Sequence, residues 1–155
     1  WDGGYTGNPT ITPLLRECAS SDTVLVQINP IERLGTPKSA RDIMERINEL
    51  TFNASLLAQM RSIDFVNRMI ERGHMDTERY RKVLLHRVDG GEALEAFPPS
   101  SKTSADGVTI GKLHALGREC AQRWLKKRFD DLGEKTTIDI TRDYLDDMRM
   151  GSLGD

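Results

Sequence analysis

The residues best suited to chemistry stand at the N-terminus, where the carboxylate of Asp2 precedes two glycines, Gly3 and Gly4. A carboxylate can act as a general base towards a hydroxyl nucleophile that lies within hydrogen-bond reach. Two glycines let the backbone turn tightly and leave space beside the carboxylate. Asp-Gly pairs are also common turn formers, so the triplet by itself predicts only a turn.

The other candidate residues predict structure rather than catalysis. His74, His86 and His114 have no cysteine or histidine partner at metal-ligand spacing, and His86 is predicted to be a packing residue within a strand. A second triplet, Asp89-Gly90-Gly91, closes a predicted strand and is expected to form a plain turn. The sequence contains neither a phosphate-binding loop nor the nucleophile motif G-x-S-x-G. We expect no metal ion and no organic cofactor.

Composition favours a single globular domain that does not bind nucleic acid. The chain has 155 residues and a formal net charge of −2, whereas a protein that grips nucleic acid through its phosphates needs a basic domain. No apolar run approaches the roughly 20 residues of a membrane-spanning helix. No signal peptide is visible, and Cys18 and Cys120 are expected to be buried free thiols, which indicates a cytoplasmic setting.

The apolar pattern predicts two strands with helices around them. Thr23–Ile28 is apolar without alternation, which is typical of a parallel strand buried on both faces, and Lys82–Val88 predicts a second strand. Between them, a helical pattern runs from Ser39 to Glu71 as one long helix, or as two helices broken near Phe52. Three further helices are predicted at Ile11–Glu17, Thr109–Leu132 and Ile140–Met148.

The long helical segment has a clear start and a clear apolar face. Its start is a capping-box sequence, Ser39-Ala40-Arg41-Asp42. We expect the apolar face to be buried, because each large side chain that is buried contributes roughly 1.5–3 kcal/mol. The face consists of Ile43, Ile47, Leu50, Ala54, Leu57, Met60, Ile63, Val66, Met69 and Ile70.

In this context the N-terminal triplet resembles that of a known family. Trp1–Pro9, the helix that follows, the Val24–Asn29 strand and the Ile43–Arg68 helix together resemble the C-terminal part of a bacterial patatin-like phospholipase. The D-G-[GA] box is a hallmark of that family, and D-G-G-Y-x-G-N-P is a version typical of its bacterial members. The resemblance covers residues 1 to about 70, and segments between Lys82 and Trp124 are similar as well.

The resemblance implies a serine acyl hydrolase with a Ser–Asp dyad on a three-layer α/β/α scaffold. Asp2 would be the general base, with Gly3 and Gly4 supporting it. The family's Gly-rich oxyanion loop and G-x-S-x-G serine precede this aspartate, so the chain is expected to be a C-terminal fragment of the domain, mostly helical with two or three strands. Residues 1–135 would belong to that incomplete domain, and residues 136–155 would form a C-terminal helix and tail.

The implied substrate is a phospholipid or another acyl ester, and Phe97–Pro99 is a candidate for peripheral contact with a membrane. Met60, Phe65 and Met69 would be either plain core or the lining of an acyl groove. Exposed apolar helix faces and an open sheet edge would allow self-association. The alternative is a non-enzymatic helical interaction or oligomerisation domain, in which Asp2-Gly3-Gly4 is only a turn and the helices form a closed bundle.

Overall fold

The computed structural model describes residues 3, 7–32, 35–97, 101 and 105–145. Within these residues the chain is mostly helical, with one two-stranded sheet. Asp2 and Gly4, the predicted base and one of its supporting glycines, lie outside the described residues. The elements in chain order are α1 (Thr12–Glu17), β1 (Asp22–Gln27), α2 (Ala40–Glu71), β2 (Leu84–Asp89), α3 (Gly91–Glu95), α4 (Gly107–Arg128) and α5 (Ile140–Tyr144), with a 3₁₀ turn at Phe129–Asp131.

Strands β1 and β2 are parallel, and α2 connects them in a β–α–β unit. The register pairs Asp22 with Leu84 at one end and Gln27 with Asp89 at the other. Parallel neighbours need a crossover of a dozen or more residues, which α2 and its flanking loops supply. Both predicted strands and their predicted parallel arrangement are confirmed.

Helix α2 is one unbroken helix of 32 residues, so the single-helix alternative is the correct one. The predicted capping box is present. The Ser39 hydroxyl accepts from the Asp42 amide at 3.1 Å, and the Ser39 amide donates to the Asp42 carboxylate at 3.1 Å. The chain leaves the helix at Gly73, whose φ of +70° is a left-handed conformation that glycine adopts readily.

The core lies between α2, α5 and one face of the sheet. Adjacent residues of a strand point to opposite faces, and Leu85 points into this core whereas His86 points to the other face. There α4 packs against β2, with the rings of Trp124 and His86 meeting edge-on at 5.9 Å between centroids. The buried core residues are Ile11, Leu56, Met60, Ile63, Val83, Leu85, Tyr144 and Leu145.

The described part of the C-terminal segment belongs to the same core as the residues before it. The Thr137 amide donates to the Leu85 carbonyl at 2.9 Å, and Tyr144 and Leu145 are 3 % and 6 % exposed. The predicted last helix is confirmed over Ile140–Tyr144, and the residues after Leu145 lie outside the described ranges.

Strand β1 is not buried on both faces, which corrects the prediction from its uninterrupted apolar sequence. Val24, Val26 and Ile28 are 46 %, 70 % and 58 % exposed. The reason is the position of α4, which packs against β2 and leaves the same face of β1 open. An apolar strand is buried on both faces only where a helix covers each face. The sequence of the strand does not specify whether such helices are present.

The predicted apolar face of α2 is buried only in part, which is a second correction. Ile43, Ile47 and Leu50 are about half exposed, whereas Met60 and Ile63 are fully or almost fully buried. At Leu50 the buried side of the helix carries the polar residue Glu49, which is 3 % exposed. For Ile43 and Ile47 the cause is length. A helix of 32 residues spans about 48 Å, but strands of six residues span only about 20 Å. The first turns of α2 therefore extend beyond the sheet that buries the rest.

Candidate functional site

A pocket of about 760 Å³ lies at the carboxyl ends of β1 and β2. In open α/β sheets ligands bind in the crevice beyond the carboxyl ends of the strands, and this volume is typical of small-molecule sites. Its apolar lining comes from the two strands, from residues that follow β1, from α3 and from α4. These residues include Val26, Ile28, Val88, Leu113 and Leu116. The pocket therefore has the size and lining to hold an apolar group such as an acyl chain.

Three polar residues that line the pocket, Gln27, Arg87 and Asp89, belong to one network with Tyr144 of α5. The Arg87 Nε lies 2.7 Å from the Asp89 carboxylate, and the guanidinium stands over the Tyr144 ring, 5.6 Å from its centroid. The Tyr144 hydroxyl donates to the side-chain oxygen of Gln27 at 2.7 Å. Burial raises the pKa of Tyr144, which keeps the hydroxyl protonated and able to donate at neutral pH. The network joins the ends of both strands to α5.

The second Asp-Gly-Gly triplet is not the plain turn that was predicted: it links the end of β2 directly to the start of α3, and it lines the pocket. The Gly91 amide donates to the Asp89 carboxylate at 3.1 Å, and Gly91 has a φ of +51°. A Cβ at Gly90 would lie 2.3 Å from the Cβ of Leu94, so a side chain at that position would collide with α3. Helix α3 is not predicted from the sequence, because five residues carry too little periodicity to indicate a helix.

The end of the N-terminal box is anchored to the middle of α2 by one side chain. The carbonyl oxygen of the Gln59 amide accepts from the Ile11 amide at 2.6 Å and from the Thr12 amide at 3.2 Å. Its Nε2 donates to the Pro9 carbonyl. Ile11 is only 3 % exposed and lies in the core. The chain that leaves the box is therefore held in position by both packing and hydrogen bonds.

Two more amide side chains fix the direction of α2 relative to the sheet. Asn53 donates to the carbonyl of Pro30, just after β1, at 2.7 Å. The Asn67 amide bonds both backbone groups of Val83, just before β2, at 2.9 and 3.0 Å. Because the first contact follows a strand and the second precedes one, α2 runs from the carboxyl ends of the strands to their amino ends.

Within the box, Gly7 lies closer to the carboxyl ends of the strands than Pro9, which is bonded to the middle of α2. A Cβ at Gly7 would lie 3.9 Å from the Ser55 hydroxyl, and Ser55 is only about 3 Å along the helix from Asn53. The carbonyl of Gly3, which is exposed, accepts from the Gly7 amide at 3.0 Å. This bond links the predicted triplet to Gly7. The roles of Asp2 and Gly4 stay predictions.

The residues proposed for an acyl groove do not line the pocket. Met60 is completely buried in the core, so the plain-core alternative is correct for it. Phe65 is 52 % exposed, and Met69 is half-buried on the same helix. The groove hypothesis is wrong for Met60, and it stays a prediction for Phe65 and Met69, which lie on α2 away from the pocket lining.

A second polar cluster contains the residue types of a hydrolytic triad. The His86 Nε2 lies 2.9 Å from the Asp22 carboxylate, and the Nδ1 lies 3.1 Å from the Thr137 hydroxyl. His86 is 0 % exposed, and the Trp124 ring packs edge-on against it. Since no substrate could reach a ring that is fully enclosed, the cluster is structural. The predicted packing role of His86 is confirmed.

The two cysteines are free and differ in burial. Cys120 is buried, as predicted, and lines the pocket. Cys18 is exposed, contrary to the prediction, because it follows α1, a short helix with no buried residue. In the described ranges no three His, Cys, Asp or Glu side chains are grouped so that they could hold a metal ion. None of the described helices has the length and apolar character to cross a bilayer.

Comparison with known proteins finds no match among family models, curated proteins or solved structures. The resemblance to patatin-like phospholipases therefore rests on the N-terminal box and on the order of the elements that follow it. The Ser–Asp dyad and the lipid substrate stay predictions.

Proposed function

We propose that this chain is part of a lipid acyl hydrolase of the patatin-like type, acting on the ester bond of a phospholipid or another acyl ester. Asp2 is the general base of a Ser–Asp dyad, and Gly3 and Gly4 are the glycines of its motif. The serine and the oxyanion loop belong to a part of the domain that is not in this sequence, since the sequence has no G-x-S-x-G motif.

One observation carries this proposal beyond the resemblance. Gln59 holds the backbone from Pro9 to Thr12 against α2, and Gly7 lies beside Ser55 near the carboxyl ends of the strands. From Pro9 back to Gly7 the box approaches the carboxyl ends of the strands, where α/β enzymes place their catalytic groups, and this supports the proposal. The apolar pocket lies at the same end and would accept the acyl chain.

The chemistry needs only a carboxylate and a hydroxyl in contact. The Asp2 carboxylate takes the proton of the serine hydroxyl while the oxygen attacks the acyl carbonyl carbon. The alcohol leaves with that proton, and the acyl group stays on the serine. Water, deprotonated by the same carboxylate, then attacks the acyl-serine ester, and the serine oxygen recovers a proton as the fatty acid departs. Partial burial would raise the pKa of the Asp2 carboxyl and so make it a better base.

The alternative function, a non-enzymatic helical interaction domain, predicts helices that close on one another as a bundle. Helices α2 and α5 instead lie on one face of a parallel pair of strands and α4 on the other, with an open pocket at the carboxyl ends of the strands. This arrangement favours the enzyme fragment over the bundle.

The proposal makes a direct prediction for the 155-residue chain by itself. It should not hydrolyse a p-nitrophenyl ester, because it has no G-x-S-x-G serine, and even one missing oxyanion donor costs about 10²–10³ in rate. If the purified chain hydrolyses the ester and Asp2→Asn abolishes this activity, the serine of the dyad cannot lie in another segment, and the proposal is contradicted.

The decisive experiment uses a protein extended upstream of Trp1. The coding sequence before Trp1 should contain a Gly-rich loop and G-x-S-x-G, and the extended protein should hydrolyse p-nitrophenyl esters. Asp2→Asn should lower kcat by about 10²–10⁴, the usual contribution of a general base. The matched control is Asp130→Asn, which alters an exposed aspartate remote in sequence from the box. An upstream sequence without the serine motif, or full activity in Asp2→Asn, would refute the proposal.

A further inference from the structure

The outer edge of β2 is covered by another segment, whereas the outer edge of β1 is open among the described residues. At the edge of β2 the Thr137 amide donates to the Leu85 carbonyl at 2.9 Å. The Thr136 hydroxyl bonds the amide and the carbonyl of the same residue at 3.2 and 2.7 Å. Among the described residues, β1 has β2 as its one strand neighbour. An edge left open in this way is a template for another strand.

The backbone groups on the open edge belong to the even-numbered residues of β1. The Leu84 amide donates to the Ser21 carbonyl at 2.9 Å. In a parallel pair alternate residues bond the same neighbour, so the odd-numbered residues of β1 bond β2. Val24 and Val26 consequently direct their N–H and C=O groups away from β2.

The open edge lacks the features by which edge strands avoid pairing. Apart from Asp22 at the start of β1, whose amide donates to the Ser20 hydroxyl at 3.0 Å, the stretch up to Ile28 contains no charged residue, no proline and no glycine, whereas protected edges usually carry lysine, proline or a bulge. The side chains of Val24, Val26 and Ile28 are also exposed. A second β-strand would bond the outward-facing backbone groups and would cover part of the exposed apolar side chains.

We propose that β1 pairs with the β1 strand of a second copy of this chain, antiparallel and about a two-fold axis at Leu25. This axis sets Val24 of each copy opposite Val26 of the other. Both residues face the open edge, so each such pair can exchange two backbone hydrogen bonds. Asp22 falls opposite Ile28, so no like charges meet across the edge. The result is a four-stranded sheet with β1 and its copy at the centre.

The self-pairing is a property of the 155-residue chain by itself. It depends on β1 and not on Asp2, so the two proposals are tested separately. In the complete domain proposed above, strands of the missing segment would add to the sheet at this same edge, so the self-pairing applies to the 155-residue chain and not to the extended protein.

The test is analytical ultracentrifugation of the 155-residue chain over a range of concentrations, in which the wild type should show a monomer–dimer equilibrium. Val24→Lys/Val26→Lys should be monomeric at concentrations where the wild type is dimeric, because lysine would face lysine across the edge. Val24→Glu/Val26→Glu should be monomeric for the same reason. An equimolar mixture of the two variants should form a dimer again, which neither variant could do if it were merely unfolded.

The matched control is Ile47→Lys/Leu50→Lys, which replaces two exposed apolar residues of α2 that are 48 % and 53 % exposed. This variant should dimerise like the wild type. Amide hydrogen exchange should also slow at Val24 and Val26 as the wild-type concentration rises. The proposal is overturned if the wild type is monomeric throughout, if the dimer survives the lysine pair in β1, or if the α2 control abolishes it.

Discussion

The Nε2 atom of His86 lies 2.9 Å from the carboxylate of Asp22, and this contact ties β2 to the first residue of β1. The same carboxylate accepts from the Gly133 amide at 2.8 Å. The other ring nitrogen of His86 lies 3.1 Å from the Thr137 hydroxyl. One imidazole and one carboxylate therefore connect both strands to the segment between α4 and α5.

We expect Asp22→Ala to destabilise the protein by about 1–3 kcal/mol, because it leaves a polar atom of the fully buried His86 ring without its partner. Urea unfolding at neutral pH measures the change. Asp130→Ala, at an exposed carboxylate on the 3₁₀ turn, should change the free energy of unfolding by no more than about 0.5 kcal/mol. Equal effects of the two substitutions would show that the Asp22 contact contributes nothing to stability.

The Asp22 contact also predicts how stability depends on pH. Hydrogen bonds from the Gly133 amide and from His86 hold the pKa of the Asp22 carboxyl below its ordinary value of 3.8. Its contribution is therefore complete above the unfolded pKa and is lost as the pH falls through the lower folded pKa. As the pH is lowered below 3.8, the wild type should lose stability more steeply than Asp22→Asn.

Urea midpoints measured at several acidic pH values give the two slopes. The carboxyls of Asp42, Asp106 and Asp131, whose pKa values are also lowered by their hydrogen bonds, titrate in both proteins. The difference between the two slopes therefore reports the titration of the Asp22 carboxyl alone. Parallel slopes would mean that folding does not alter the affinity of this carboxyl for protons.

Gln59→Leu should loosen the segment that follows the N-terminal box. It removes the acceptor of the Ile11 and Thr12 amides, and a buried amide without a partner costs about 1–3 kcal/mol. Amide hydrogen exchange should accelerate at these two residues. Gln122→Leu, at an exposed position of α4, should leave their exchange unchanged. Slow exchange in Gln59→Leu would show that packing alone holds the segment.

Two methionines of α2 offer a matched test of the core. Met60→Ala should destabilise the protein by about 2–5 kcal/mol, because Met60 is completely buried and its removal leaves a cavity. Met44→Ala makes the same chemical change at a side chain that is 57 % exposed, and should cost no more than about 0.5 kcal/mol. Denaturant unfolding compares them. A similar loss at both sites would contradict the assigned position of the core.

Local spacing in the sequence is enough to predict the β–α–β order, the start of α2 and the packing role of His86. The capping box needs only Ser39 and Asp42, three residues apart, and both of its bonds form. The apolar runs of β1 and β2 likewise carry their own signal. The hypothesis that Asp2 is a general base comes from a resemblance in sequence alone. That resemblance consists of the N-terminal box and the order of the elements that follow it.

Which surfaces are covered is decided by the tertiary structure, because it depends on residues far apart in the chain. The position of α4 leaves Val26 exposed, and the short strands leave Ile43 beyond the sheet. The contact between His86 and Asp22 joins residues 64 apart, and that between Gln59 and Pro9 joins residues 50 apart. Nothing in the spacing of neighbouring residues encodes such pairs. The sequence therefore determines the elements, and their packing determines the pocket, the anchors of the box and the open edge of β1.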